Sequence, residues 1–91
     1  MHKRIVITGA STGIGAETAR LLAHKNELIL HYNSSKEEAE ETAHAATRQG
    51  GTIHLVQADL TTEEGTRKLF DAVQDTFDGV DVLVNNAGSL V

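Results

Sequence analysis

Hydrophobic residues in this chain cluster in four short runs, which are separated by longer stretches of mixed polarity. The runs cover residues 5–7, 28–32, 52–57 and 80–85, and they are rich in valine, isoleucine and leucine. Short apolar runs of this kind are typical of parallel strands that are buried on both faces. The intervening stretches lack proline and predict three helices over residues 13–25, 36–49 and 62–77.

The alternation β-α-β-α-β-α-β predicts an α/β fold of the Rossmann type with a parallel sheet. Right-handed crossovers place the first three strands side by side, and the fourth strand begins the other half of the sheet. The expected strand order is therefore 3-2-1-4. A ligand is expected at the carboxyl ends of the first and fourth strands, where the strand order reverses.

Spacing within the helices also predicts which side chains pack against the sheet. In the first helix the packed set is Ile14, Thr18, Leu21 and Leu22. In the third helix it is Leu69, Phe70, Val73 and Phe77.

Two sequence patterns of the capping-box type predict where the second and third helices begin. They are Ser35-x-x-Glu38 and Thr61-x-x-Glu64.

A glycine-rich turn joins the first strand to the first helix. Its glycines, Gly9, Gly13 and Gly15, have distinct expected roles. Gly9 allows the chain to leave the strand, Gly13 removes a β-carbon where a phosphate must approach, and Gly15 lets the helix pack on the strand. The first amides of the helix then favour a pyrophosphate, and Ser11 and Thr12 add hydroxyl donors. The alternative is a purely structural turn.

Composition excludes several kinds of function. The 91 residues allow one domain or part of one, and the net charge of −5 comes from interspersed charges, which argues against nucleic-acid and anionic-membrane surfaces. The absence of cysteine excludes disulfides, thiolate zinc sites and a cysteine nucleophile. The five histidines are scattered, so no metal site is predicted, and they are expected to face solvent or end strands.

The first apolar run is too short for a signal or membrane segment, so the expected location is the cytoplasm.

Three motifs in register carry a resemblance to a known family. They are the loop 8–15 (TGASTGIG), Asp59-Leu60 after the third strand, and the segment 85–88 (NNAG) after the fourth. This combination resembles the short-chain dehydrogenase/reductase family, in particular its ketoacyl-carrier-protein reductase and sugar dehydrogenase branches. The resemblance extends over the full 91 residues.

The resemblance implies a dinucleotide cofactor and a role for each motif. In the glycine loop, the residues that line the pyrophosphate are Gly9, Ser11, Thr12 and Ile14.

The two later motifs are implied to hold the adenosine. Asp59 accepts from the adenine amino group, with the Leu60 backbone beside it. Asn86, Ala87 and Gly88 border the adenine-side ribose, and Asn86 also ties the glycine loop to the fourth strand. Two alternatives remain open: Asp59 only precedes a helix cap, or Asn85 and Asn86 are ordinary turn residues.

The end of the second strand bears on the choice of cofactor. An acidic residue there usually holds the ribose 2′-hydroxyl of NAD, whereas this chain continues with Asn33, Ser34 and Ser35. These residues can donate hydrogen bonds to a 2′-phosphate, which favours NADP(H) over NAD(H). Against this, NADP-binding relatives often carry a basic residue where this chain has Thr12. The alternative role of the serines is helix capping.

No catalytic residue is predicted within the chain. The family's serine and its tyrosine-x-x-x-lysine pair lie well beyond the segment that corresponds to 85–88. Tyr32 and Lys36 have this spacing, but they fall on a strand end and a helix start, where they cannot share one helix face. We therefore expect residues 1–91 to be the N-terminal portion of a single dinucleotide-binding domain whose catalytic half is absent.

This expectation leaves other functions open. The alternatives are a non-catalytic nucleotide-binding or regulatory module and an inactive truncated remnant. An unpaired apolar fourth strand also predicts self-association or a partner at that edge.

Overall fold

Strands and helices alternate along the chain as the hydrophobic pattern predicts. A computed structural model describes residues 2–86. The elements are β1 (Arg4–Thr8), α1 (Gly13–Leu22), β2 (Glu27–Tyr32), α2 (Lys36–Arg48), β3 (Thr52–Gln57), α3 (Glu63–Thr76) and β4 (Val82–Asn85). Ala87 and Gly88 lie outside the described residues.

The four strands form one parallel sheet in the order β3-β2-β1-β4, which confirms the predicted topology. Ile5 pairs with Leu28 of β2 on one side and with Val82 of β4 on the other. At the far end of the same ladder Thr8 pairs with Asn85. The carboxyl ends of β1 and β4 therefore lie side by side at the point where the strand order reverses.

The core has two halves, one on each face of the sheet. Alternate residues of β1 and β2 point to the face covered by α1 and α2, where small alanines such as Ala19 and Ala46 fill the space. Val6 and Ile29 point to the other face and pack beneath α3 against Phe77. Both central strands are buried on both faces, which explains their continuous apolar sequence.

The prediction of the packed face of α1 was wrong for two of its residues. Leu22 packs against the core as predicted. Ile14 and Leu21, however, are 76% and 73% exposed, and the fully buried residues of the helix are Gly15, Ala16 and Ala19. The middle of the helix lies so close to β1 that small residues fill the space between them.

The predicted end of α1 was also wrong. The helix ends at Leu22, and Lys25 adopts a left-handed φ of 61°. The side chain of Asn26 closes this end by donating from Nδ2 to the Leu22 carbonyl at 2.7 Å.

Neither capping box forms as predicted. The side chain of Ser35 makes no capping hydrogen bond. The cap of α3 is Thr62, one residue later than predicted, and its Oγ1 accepts from the Gly65 amide at 2.9 Å. The Thr61 hydroxyl instead donates to Asp59.

Two further expectations for the C-terminal part need correction. Phe70 is 60% exposed, although Leu69 and Val73 do pack on the sheet and Phe77 is buried. Strand β4 begins at Val82, two residues later than predicted.

None of the helices within residues 2–86 has both the length and the apolar character needed to cross a membrane.

Candidate functional site

The carboxyl ends of β1, β2 and β4 open onto a cavity of about 720 Å³. Eight of the residues predicted to contact a cofactor line this cavity: Gly9, Ser11, Thr12, Asn33, Ser34, Ser35, Leu60 and Asn86. A smaller cavity of about 420 Å³ beside it includes Gly13 in its lining, together with Ser11 and Thr12. Residues that are far apart in sequence thus surround one space at the predicted end of the sheet.

The three glycines of the loop meet different structural demands. Gly9 and Gly13 have φ values of 62° and 61°, in the left-handed region that favours glycine. A β-carbon on Gly15 would collide with the Gly9 carbonyl oxygen and lie 2.7 Å from Asn86 Nδ2, so Gly15 permits close packing of the helix on the strand. A β-carbon on Gly13 would meet no atom within 4 Å among the described residues. The bare backbone at Gly13 thus borders open space, as the close approach of a phosphate requires.

The beginning of α1 presents backbone amides to this space. The N-cap residue Thr12 is extended, and its side chain makes no capping hydrogen bond. The amide of Ala16 donates to the Thr12 carbonyl at 3.4 Å, which leaves the preceding amides of the first turn without intrahelical acceptors. The first turn contains no acidic residue. The positive end of the helix dipole therefore faces a site that suits an anion.

Asn86 fixes the glycine loop from the side of β4. Its Nδ2 donates to the Gly9 carbonyl at 3.0 Å, and its backbone amide donates to Thr8 Oγ1 at 3.0 Å. The Thr8 hydroxyl in turn donates to Asn85 Oδ1 at 3.1 Å. The predicted tie between the loop and the fourth strand is present, so neither asparagine is only a turn residue.

Asp59 is the second residue of the loop between β3 and α3, and its side chain organises the loop locally. Its Oδ1 accepts from the Thr61 hydroxyl at 2.6 Å and from the Thr61 amide at 3.0 Å. The hydroxyl bond, followed by the amide bond, lowers the pKa of Asp59 below its ordinary value. One role of this carboxylate is therefore to stabilise the turn that precedes the α3 cap. No bond to Oδ2 forms within residues 2–86, so that oxygen is free for another donor.

Gly65, a residue that the sequence analysis missed, allows this loop to close. A β-carbon at Gly65 would collide with the Asp59 backbone carbonyl, so the loop lies directly on the first turn of α3.

The end of β2 carries polar, uncharged side chains. Asn33 and Ser34 are exposed, and Ser35 is half-buried with its hydroxyl not engaged as a cap. The Asn33 carbonyl accepts from Gln57 Nε2 at 2.7 Å, and Lys68 Nζ donates to Gln57 Oε1 at 3.1 Å. No carboxylate belongs to the described lining of the larger cavity.

His31 is the functional-site residue that the sequence analysis did not identify. It lies in β2 beneath the glycine loop and is 2% exposed. Its Nδ1 is 3.1 Å from the Gly9 amide, and its Nε2 is 2.7 Å from the Ala58 carbonyl. The signal available in the sequence was a histidine directly after the apolar residues Leu28, Ile29 and Leu30.

Tyr32 and Lys36 lie on separate elements, as the sequence indicates: Tyr32 ends β2 and Lys36 begins α2. Across the described residues, no three histidine or carboxylate side chains are grouped so that they could hold a metal ion.

Comparisons with known proteins agree with this arrangement. The family model described as short chain dehydrogenase matches residues 3–91. The chain is 44% identical over 87 residues to 3beta-hydroxysteroid dehydrogenase 1 of Eggerthella lenta, an alignment that covers 94% of this chain and 33% of that protein. It is 34% identical over 88 residues to the short-chain dehydrogenase/reductase homolog YusS of Bacillus subtilis, covering 96% of this chain and 81% of that protein.

The fold is shared with solved structures. The alcohol dehydrogenase of the archaeon Thermococcus sibiricus, complexed with 5-hydroxy-NADP, superimposes with a TM-score of 0.79 at 32% identity, over 91% of this chain and 36% of that one. The chain thus spans about a third of the length of the steroid and alcohol dehydrogenases and most of the length of YusS. Sequence, sheet order and loop geometry together establish that the chain belongs to the short-chain dehydrogenase family.

Proposed function

We propose that residues 1–91 form the N-terminal, cofactor-binding portion of a single dinucleotide-binding domain in an NADP(H)-dependent oxidoreductase. The observation that carries this proposal is the cavity at the carboxyl ends of β1, β2 and β4, which joins an open glycine loop to a polar strand end without a carboxylate. The reaction class is carbonyl reduction or alcohol oxidation by hydride transfer. The names of the steroid and alcohol dehydrogenases among the relatives support this class.

Different residues contact different parts of the dinucleotide. The glycine loop holds the pyrophosphate through Gly9, Ser11, Thr12, Ile14 and the bare backbone at Gly13 and Gly15. Asp59 and Leu60 hold the adenine. Asn86 borders the adenine-side ribose with Ala87 and Gly88, which lie outside the described residues.

The bound cofactor supplies or receives the hydride at its nicotinamide ring. This chain's own residues bind and orient the adenosine and the pyrophosphate. Proton transfer and the substrate pocket are assigned to residues beyond this portion.

The preference for NADP(H) is supported by the composition of the β2 end. Asn33, Ser34 and Ser35 offer hydrogen-bond donors, and the free hydroxyl of Ser35 removes the capping alternative for that residue. Without a carboxylate there, nothing in the described lining repels a 2′-phosphate. Lys36 adds a positive charge, which Glu37 and Glu38 in the same turn of α2 partly offset.

Calorimetric titration of the chain with NADPH and with NADH tests this proposal. We expect measurable binding of both and tighter binding of NADPH. Tighter binding of NADH would overturn the preference, and no binding of either nucleotide would overturn the cofactor-binding function itself.

A second candidate is a non-catalytic nucleotide-binding or regulatory module. It is favoured by one observation, which is that the chain covers 81% of the relative YusS. Nucleotide binding without turnover by the natively produced protein, whose intact mass is measured in parallel, would select this candidate. Failure to fold or to bind nucleotide would select an inactive remnant.

The cytoplasmic location stays a prediction from the sequence.

A further inference from the structure

His31 connects three segments that form the cavity. Its side chain is buried at the level where β2 passes beneath the glycine loop, and both ring nitrogens have partners. Nδ1 faces the Gly9 amide at 3.1 Å, and Nε2 faces the Ala58 carbonyl at 2.7 Å. The backbone carbonyl of His31 also accepts from the Ala10 amide at 2.9 Å.

These partners determine the form of the imidazole. The Gly9 amide is a donor, so Nδ1 must accept, and the Ala58 carbonyl is an acceptor, so Nε2 must donate. Only the neutral ring with its proton on Nε2 satisfies both partners. A second proton would place an N–H at Nδ1 opposite the N–H of Gly9, and the bond to the loop would be lost.

We propose that neutral His31 is a positioning residue for the dinucleotide. It holds the Gly9 amide from below while Asn86 holds the Gly9 carbonyl from the side of β4, so the peptide groups flanking the left-handed turn are both fixed. Through Ala58, the residue before Asp59, the same ring sets the distance from this turn to the adenine-side loop. This inference rests on the proposed cofactor-binding function.

Two substitutions separate the bonds of the ring. In His31→Asn, Oδ1 can occupy the place of Nδ1 and accept from Gly9. In His31→Gln, the amide reaches towards Ala58 and leaves the Gly9 amide unpaired. His44→Asn is the matched control, because His44 is exposed on α2 and away from the larger cavity.

The experiment measures calorimetric dissociation constants for NADP⁺ at one fixed pH. We expect His31→Asn and the His44→Asn control to bind within about threefold of the unaltered chain, and His31→Gln to bind about tenfold more weakly.

A readout without nucleotide keeps this inference separate from the proposed function. Hydrogen exchange of the Gly9 amide in the free protein should be faster in His31→Gln, where its bond is lost, than in the unaltered chain, His31→Asn and His44→Asn. Equal exchange in all variants, or equal binding by His31→Asn and His31→Gln, would overturn the positioning role. Absence of nucleotide binding with faster exchange in His31→Gln would instead refute the proposed function alone.

Discussion

At the scale of single residues, glycine serves two different purposes in the glycine loop, close packing at one position and open space for a ligand at another. Gly15 is required because the helix and the strand leave no room for a β-carbon, whereas the β-carbon of a residue at position 13 would project into open space. The first requirement concerns folding and the second concerns what binds in front of the helix. These two roles can be separated experimentally.

Gly15→Ala should destabilise the fold, because the added methyl group collides with the Gly9 carbonyl and approaches Asn86. The expected loss is about 2 kcal/mol in the free energy of unfolding, measured by urea denaturation. The matched control is Gly13→Ala, whose cost of about 1 kcal/mol comes only from its positive φ. Equal losses in stability would contradict the packing argument.

A single substitution at the end of β2 tests the preference for NADPH over NADH. Asn33→Asp places a carboxylate in the cavity where a 2′-phosphate is proposed to bind. We expect NADPH to bind at least about tenfold more weakly while the affinity for NADH is kept or raised, as titration calorimetry would show. Gln74→Glu on the exposed face of α3 adds the same charge elsewhere and should change neither constant. An equal loss for both nucleotides would speak against a phosphate at this position.

Local sequence patterns could predict the roles of residues only where the cause is local, and the distant tie between Asn86 and Gly9 was predicted from the family resemblance instead. The turn at Gly9 and the packing at Gly15 follow from a strand that is followed at once by a helix. The role of His31 depends on Gly9 and Ala58, which are 22 and 27 residues away in sequence. No local pattern indicates that these groups meet.

At the scale of elements, helix starts and buried faces were the least predictable features. Both capping-box patterns are present in the sequence, yet the Thr61 hydroxyl donates to Asp59 and the Thr62 hydroxyl caps α3. In α1 the distance to β1 selects the small residues for burial, although the larger apolar side chains have suitable helical spacing. Strand order was predictable because crossover handedness and strand length leave few alternatives.

The entry to β4 is fixed to β1 by an ion pair with a measurable pH dependence. Asp81 Oδ2 accepts from the Arg4 backbone amide at 2.8 Å and from Arg4 Nε at 3.3 Å. The amide bond first, and then the guanidinium, lower the pKa of Asp81 below its ordinary value of 3.8. A lowered pKa in the folded state means that the stabilisation is present above pH 3.8 and is lost as the pH falls through the folded-state value.

Asp81→Asn should therefore reduce stability near neutral pH and flatten the acid limb of the curve of Tm against pH. The effect is modest because Asp81 is exposed to solvent, and scanning calorimetry between about pH 2.5 and pH 7 measures it. Asp75→Asn on α3, where the carboxylate has no ion pair within the described residues, serves as the control. An unchanged acid limb in Asp81→Asn would show that this pair does not contribute.

At the scale of the whole molecule, the sheet formed by residues 2–86 has an apolar edge at β4. Leu83 is 63% exposed and Phe70 is 60% exposed, and they flank a groove of about 530 Å³ between α3 and β4. Apolar surface beside a strand with a free edge favours pairing with another chain. Self-association at this edge remains our proposal.

Leu83→Glu should shift the chain towards a monomer, because a carboxylate in the groove would be desolvated on pairing. Sedimentation velocity over a range of concentrations measures the change. Leu21→Glu is the matched control, since Leu21 is also largely exposed but lies on α1, away from this groove. A chain that is monomeric without any substitution would contradict the proposal.

The bond between Asn86 and Gly9 joins groups that are 77 residues apart in sequence. Contacts between such distant positions form late in folding, because the cost of closing the intervening loop must be met first. During synthesis, the glycine loop leaves the ribosome early but has no partner on that side until residue 86 has also emerged. Nucleotide binding by a nascent chain should therefore begin abruptly with the emergence of this residue, so that the first part of the site to be made is among the last to take its final shape.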